Sequence, residues 1–82
     1  MSSEEIFQIV KTLVGDQFAM DPEEISLDTS FEEDLGADTA DLVELGMALE
    51  QEFEVDEIQE DELDGLRTVG DVVDHVAGKL NK

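Results

Sequence analysis

Hydrophobic residues recur along most of this chain at intervals of three and four, the spacing that gathers side chains on one side of an α-helix. Ile6, Ile9, Val10, Leu13 and Val14 form the first such stripe. Ser2 and Glu5 ahead of it have the spacing of a capping box, in which a hydroxyl and a carboxylate each satisfy a backbone N–H. The pattern predicts helix one over residues 3 to 18. Asp21-Pro22 breaks it, because proline holds the preceding residue in extended geometry and has no N–H to give.

From 20 to 37 the turn formers Asp28, Thr29, Ser30 and Gly36 alternate with the apolar residues Ile25, Leu27, Phe31 and Leu35. So long a connection is uncommon in a compact domain, and its apolar residues predict that it lies across the core. Ser30 with Glu33 predicts one capped turn inside it. Leu42, Leu45, Leu49 and Phe53 then return at helical spacing while Asp38, Asp41, Glu44 and Glu50 point elsewhere, which predicts helix two over 39 to 53. Residues 60 to 66 have room for one or two turns, anchored by Ile58, Leu63 and Leu66 and ending near Gly65. Thr68 with Asp71 repeats the capping box, and Val69, Val72, Val73, Val76 and Leu80 predict helix four over 69 to 80. The expected fold is all-α, a small four-helix bundle of three main helices and one short one. A long loop joins helices one and two, and a single domain covers 1–82.

Charge narrows the function classes. Twenty-four Asp and Glu against four Lys and Arg leave a formal −20, which repels a nucleic-acid backbone or an anionic membrane surface. With no cysteine and one histidine, thiol catalysis, thiolate zinc sites and multi-histidine metal sites are excluded, so a stand-alone hydrolase or metalloenzyme is not expected. Glu60, Glu62, Asp64, Gly65 and Asp71 fall at positions one, three, five, six and twelve of an EF-hand-like loop. The match fails chemically, with Glu at one, Asp at twelve and Arg67 where an apolar residue is usual, and no metal is expected. His75 falls on the Asp71 side of helix four, which predicts a surface histidine. No apolar run approaches the roughly 20 residues of a membrane span, and the N-terminus lacks the basic region of a signal peptide. A cytoplasmic monomer is expected.

The candidate chemistry lies in Asp34-Leu35-Gly36-Ala37-Asp38-Thr39-Ala40-Asp41-Leu42-Val43-Glu44-Leu45. A glycine-containing turn delivers Thr39 to the first turn of helix two, where unpaired N–H groups and the helix dipole favour a phosphate on its hydroxyl. Read from the residues alone, Asp38 and Asp41 equally make a capping box with Thr39 as a tolerated helix-start residue. This segment resembles the prosthetic-group site of acyl carrier proteins, whose usual core is Asp-Ser-Leu. The resemblance extends over nearly the whole chain, through the run from Ser30 to Asp38, the acidic second helix with Met47-Ala48-Leu49-Glu50 and Phe53, and the closing helix entered at Thr68-Val69.

The resemblance implies a non-enzymatic carrier of fatty-acid or related lipid or polyketide synthesis, holding acyl chains as thioesters on a 4′-phosphopantetheine arm. The attachment position is Thr39, beside Asp38. Asp38, Ala40, Asp41, Glu44, Met47 and Glu50 would dock on basic patches of a phosphopantetheinyl transferase and of acyl synthase and transferase enzymes. Phe31, Leu42, Leu45, Gly46, Leu49, Leu66 and Val69 would shelter the acyl chain. Two residues depart from the family core. Thr39 stands for Ser, adding a β-methyl that crowds the hydroxyl and stiffens χ1, and Ala40 stands for Leu, removing apolar contact area. The alternative is an interaction module that keeps the carrier fold and acidic face and lacks the arm.

Overall fold

In the computed structural model, which describes residues 1 to 80, α1 runs Ser3–Phe18 and opens on the cap that its sequence specifies. Ser2 Oγ accepts the Glu5 N–H at 3.2 Å and Glu5 Oε1 accepts the Ser2 N–H at 2.9 Å. The Ser2 N–H, and after it the Ser2 hydroxyl, favour the ionised carboxylate and hold Glu5 below its ordinary value. Ile6, Val10 and Val14 are fully buried, while Ile9 and Leu13 sit half-buried at the edge of the stripe. The helix ends at Ala19 in the left-handed conformation, and Met20 N–H returns to Gly15 O at 2.9 Å. A side chain at 15 would put its Cβ 2.8 Å from the Met20 carbonyl oxygen, so this turn requires glycine. A 3₁₀ turn, Pro22–Glu24, follows the proline break; the sequence pattern marks the break and not the turn.

α2 spans Thr39–Phe53, α3 Glu60–Leu63 and α4 Val69–Leu80. α3 is a single turn, at the short end of the expectation. α1 packs chiefly on α4 and then on α2, and α3 leans on α2. Their shared core is built from Ile6, Val10, Val14, Phe31, Leu45, Leu49, Val69, Val72 and Val76. Burying such side chains contributes roughly 1.5–3 kcal/mol each before conformational entropy is set against it, so the apolar stripes carry the fold. Gln17 Nε2 donates to Asp41 O at 2.7 Å, which ties the end of α1 to the first turn of α2.

The connection from 20 to 37 lies across the core at Ile25 and Phe31, as its pattern predicts, and Leu35 is half-buried. Leu27 departs from that expectation with 48% of its surface exposed. Its backbone carries the reason. Leu27 O accepts the Gly70 N–H at 2.8 Å, Val69 N–H donates to Thr29 O at 3.0 Å, and Phe31 N–H donates to Arg67 O at 3.0 Å. The last two bonds form an isolated antiparallel bridge between Ser30 and Thr68, and the first holds the Leu27 backbone against the start of α4 with its side chain outward. The capped turn inside the loop is present, with Glu33 N–H on Ser30 Oγ at 3.1 Å. The carboxylate that returns to the Ser30 N–H is Asp34, at 2.7 Å, and not Glu33.

His75 corrects a second expectation. It lies at the surface only in part, half-buried with Nε2 3.0 Å from Glu62 Oε1, a partner on α3 that the spacing along helix four does not indicate. Among the described residues no helix is long and apolar enough to cross a membrane.

Candidate functional site

The end of the long loop aims the first residue of α2 at solvent. Gly36 takes φ +64°, a left-handed conformation that glycine adopts without a Cβ penalty, and Ala37 N–H donates to Phe31 O at 2.8 Å. Asp38 then caps α2. Its Oδ1 accepts the Asp41 N–H at 3.0 Å, and Asp41 Oδ2 accepts the Asp38 N–H at 3.1 Å. The cap uses the Asp41 amide and leaves those of Thr39 and Ala40 at the positive end of the helix. Thr39 is exposed there.

Beside Thr39 opens a cleft of about 910 Å³ between the long loop, α2 and α3. Phe31, Ala37, Leu42, Leu63 and Leu66 supply its apolar lining, and Asp28, Glu32, Glu33, Asp38, Asp64 and Arg67 line it with charge. Of the residues expected in an acyl groove, Phe31, Leu42 and Leu66 line this cleft. Leu45, Leu49 and Val69 are packed into the core with at most 2% of their surface exposed, and Gly46 is buried against Leu63. Leu63 was legible as an anchor of the short helix and not as a cleft residue. Arg67 reaches the cleft because the Ser30–Thr68 bridge brings its segment there, a contact without a local sequence signal.

The acidic face of α2 divides in two. Asp38, Ala40, Glu44 and Met47 are exposed, Met47 to 53%. Asp41 is half-buried in the cap. Glu50 is also half-buried, because its Oε2 accepts the Ile58 N–H at 3.0 Å and so holds the segment that follows α2. Glu50 therefore spends its carboxylate within the chain, which the outward strip of the sequence reading did not anticipate.

Glu62 fixes α3 from the other side. Its Oε2 accepts the Gln59 N–H at 2.7 Å, and its Oε1 meets both His75 Nε2 at 3.0 Å and Lys79 Nζ at 3.2 Å. The Gln59 amide, followed by the Lys79 ammonium, holds the Glu62 carboxyl below its ordinary value. Asp71 Oδ2 accepts the N–H groups of Arg67 at 3.0 Å and Thr68 at 3.1 Å. Two acidic positions of the EF-hand-like spacing are thus engaged in holding α3 and capping α4.

Residues 8–76 match the family described as phosphopantetheine attachment site. The chain is 49% identical over 80 residues to an acyl carrier protein of Thermosynechococcus vestitus, covering 98% of each chain. It is 47% identical over 72 residues to an acyl carrier protein of Chlamydia trachomatis, covering 88% of this chain and 92% of the relative. With an acyl carrier protein of Clostridium acetobutylicum it shares 45% identity over 71 residues, 87% of this chain and 91% of the relative.

Proposed function

The chain belongs to the acyl carrier protein family, whose members are carriers and not enzymes, and from that premise we propose that it serves fatty-acid or related lipid or polyketide synthesis with Thr39 as its attachment residue. The observation that carries this reading is the exposed Thr39 at the first residue of α2, beside a cleft that Phe31, Leu42, Leu63 and Leu66 help to line.

The family's prosthetic group is 4′-phosphopantetheine, and the side chains around Thr39 suit it. Attachment needs an accessible hydroxyl, which Thr39 supplies as a secondary alcohol, and the helix end supplies open N–H groups for a phosphate. When bound, this group supplies a thiol that holds the acyl chain as a thioester. The protein's own part is presentation. Asp38 and the glycine turn hold Thr39 outward, while Phe31, Leu42, Leu63 and Leu66 offer the acyl chain a surface away from water. The exposed Glu44, Asp38 and Met47 form the docking face for basic patches on a phosphopantetheinyl transferase and on acyl synthase and transferase enzymes, with long-range attraction acting mainly on encounter rate. We place this activity in the cytoplasm, with a single-domain monomer as the working unit.

The β-methyl of Thr39 favours a second reading, in which the carrier fold acts as an interaction module without the arm. Intact mass after coexpression with a broad-specificity phosphopantetheinyl transferase separates the two. Thr39→Ser is expected to gain the mass of one arm completely, the Thr39 protein more slowly, and Thr39→Ala not at all. If neither hydroxyl protein gains mass, position 39 is not an attachment site and the interaction-module reading stands.

A further inference from the structure

The first turn of α2, which carries Thr39, has little apolar packing to hold it. Thr39 and Ala40 are exposed, Asp41, Leu42 and Val43 are half-buried, and the first buried side chain of the helix is Leu45. The reciprocal cap between Asp38 and Asp41 closes the turn on itself without tying it to another helix. Among the described residues, Gln17 makes the one side-chain hydrogen bond that reaches this turn from another helix, Nε2 donating to Asp41 O at 2.7 Å. We propose that Gln17 is a positioning residue for attachment at Thr39, whose amide keeps the first turn of α2 wound so that the attacking oxygen is presented in one place. The inference rests on the reading of Thr39 as the attachment residue.

Gln17 stands one residue before the end of α1, where left-handed Ala19 and the Met20 N–H on Gly15 O fix the helix end, so its amide projects from a fixed mount. Asp41 contributes twice. Its carboxylate answers the Asp38 N–H, and its carbonyl keeps a second lone pair beyond the one its own helix uses. By taking that lone pair, Gln17 joins the cap to α1 and pins a terminal turn of the kind that frays. A carboxylate at 17, a group that twenty-four other positions carry, would face the carbonyl oxygen with no N–H to offer. In attachment the Thr39 oxygen displaces the leaving phosphate of a phosphopantetheinyl donor activated as a diphosphate ester. A new O–P bond forms, the donor's P–O bond breaks with its electron pair on the leaving phosphate, and the hydroxyl proton passes to a base of the transferase. Such a displacement tolerates little error in the placement of the attacking atom, so its rate reports the order of this turn.

Loading by a broad-specificity phosphopantetheinyl transferase is measured in the Thr39 protein and in Thr39→Ser, each with and without Gln17→Met, which keeps side-chain length and charge and removes the donor. The change should lower kcat by about two- to tenfold, the range that one hydrogen bond commands, and leave KM nearly unchanged because Glu44 and Met47 lie beyond the freed turn. In the unloaded protein, exchange of the Leu42 N–H, which donates to Asp38 O at 3.1 Å, should quicken while that of Val76 in the core of α4 does not. Gln17→Lys offers a donor on a longer stem and should recover kcat. Asp16→Asn added to Gln17→Met makes the same change of net charge at an exposed neighbour and should not. Gln17→Glu is the second loss of donor, used if Gln17→Met does not fold. Unchanged kcat on loss of the donor, a fall that Asp16→Asn restores, or quicker exchange throughout the chain each overturns the positioning role and leaves the attachment reading standing. Failure of both the Thr39 and the Thr39→Ser proteins to load overturns that reading, and the role of Gln17 with it.

Discussion

Glu62 Oε1 accepts from Lys79 Nζ at 3.2 Å while lying 3.0 Å from His75 Nε2, so a single carboxylate oxygen joins the shortest helix of the fold to two turns of α4. The same residue's other oxygen caps α3 through the Gln59 N–H. α3 also borders the cleft beside Thr39 through Leu63, so the contacts of Glu62 hold one wall of that cleft.

The folded-state pKa of Glu62 lies below its ordinary 4.5, chiefly through the Gln59 amide and then Lys79. A lowered carboxylate pKa adds stability that is complete above the unfolded value and is lost as pH falls through the folded one. Glu62→Gln should therefore lower Tm at neutral pH and flatten its fall on the acid side. Thermal melts of both proteins from pH 7 to pH 3 check this, and parallel curves would contradict it.

Two glycines should respond oppositely to alanine. At Gly46 the new Cβ makes an ordinary 3.5 Å contact with Leu63, so helix propensity dominates and the change should stabilise by about 0.5–1 kcal/mol. At Gly15 the Cβ would lie 2.8 Å from the Met20 carbonyl oxygen, and Gly15→Ala should destabilise. Urea melts of the two variants decide the signs.

The docking face is best probed at Glu44, which is exposed and makes no cap. Glu44→Lys should reduce the association rate with a phosphopantetheinyl transferase while changing stability by less than about 0.5 kcal/mol. Asp41→Lys would confuse the reading, since loss of the reciprocal cap costs about 1 kcal/mol of helix stability. Asp74→Lys, on the exposed face of α4, is the control for net charge. Equal loss of on-rate at 44 and 74 would remove the claim of a specific face on α2.

With a formal −20 and few basic partners, carboxylate repulsion should weaken the fold at low ionic strength. Moderate salt or millimolar divalent cations should raise Tm by screening and counter-ion binding. A Tm that does not change from low to moderate salt would show that the repulsion is already relaxed in the folded chain.

Helix boundaries were legible because their determinants are local. Ser2 with Glu5, Asp38 with Asp41 and Thr68 with Asp71 each lie three residues apart and cap as their spacing indicates. The position of Thr39 followed from the same local signal. What escaped the sequence depends on partners that only the fold supplies. Glu50 has the look of a solvated face residue until Ile58 comes round to meet it, and His75 until Glu62 does. Leu27 has the look of a core residue until the demands of its carbonyl, met by Gly70, turn its side chain outward. Part of the expected acyl groove proved to be shared core because helical periodicity reports that a residue faces inward and not what it meets there.

The Ser30–Thr68 bridge joins positions 38 residues apart, so forming it closes a loop that contains all of α2 and α3. Such a closure sacrifices chain entropy before any contact returns it, whereas each helix assembles from near neighbours. The bridge should therefore form after the folding transition state, as the last fastening of a chain whose helices have already met. Weakening it with Arg67→Gly, which loosens the backbone whose carbonyl accepts the Phe31 N–H and spares the Thr68 cap of α4, should leave the folding limb of a denaturant chevron nearly in place and raise the unfolding rate. The lifetime of the native state, more than the speed of reaching it, is then set where the long loop meets the start of α4.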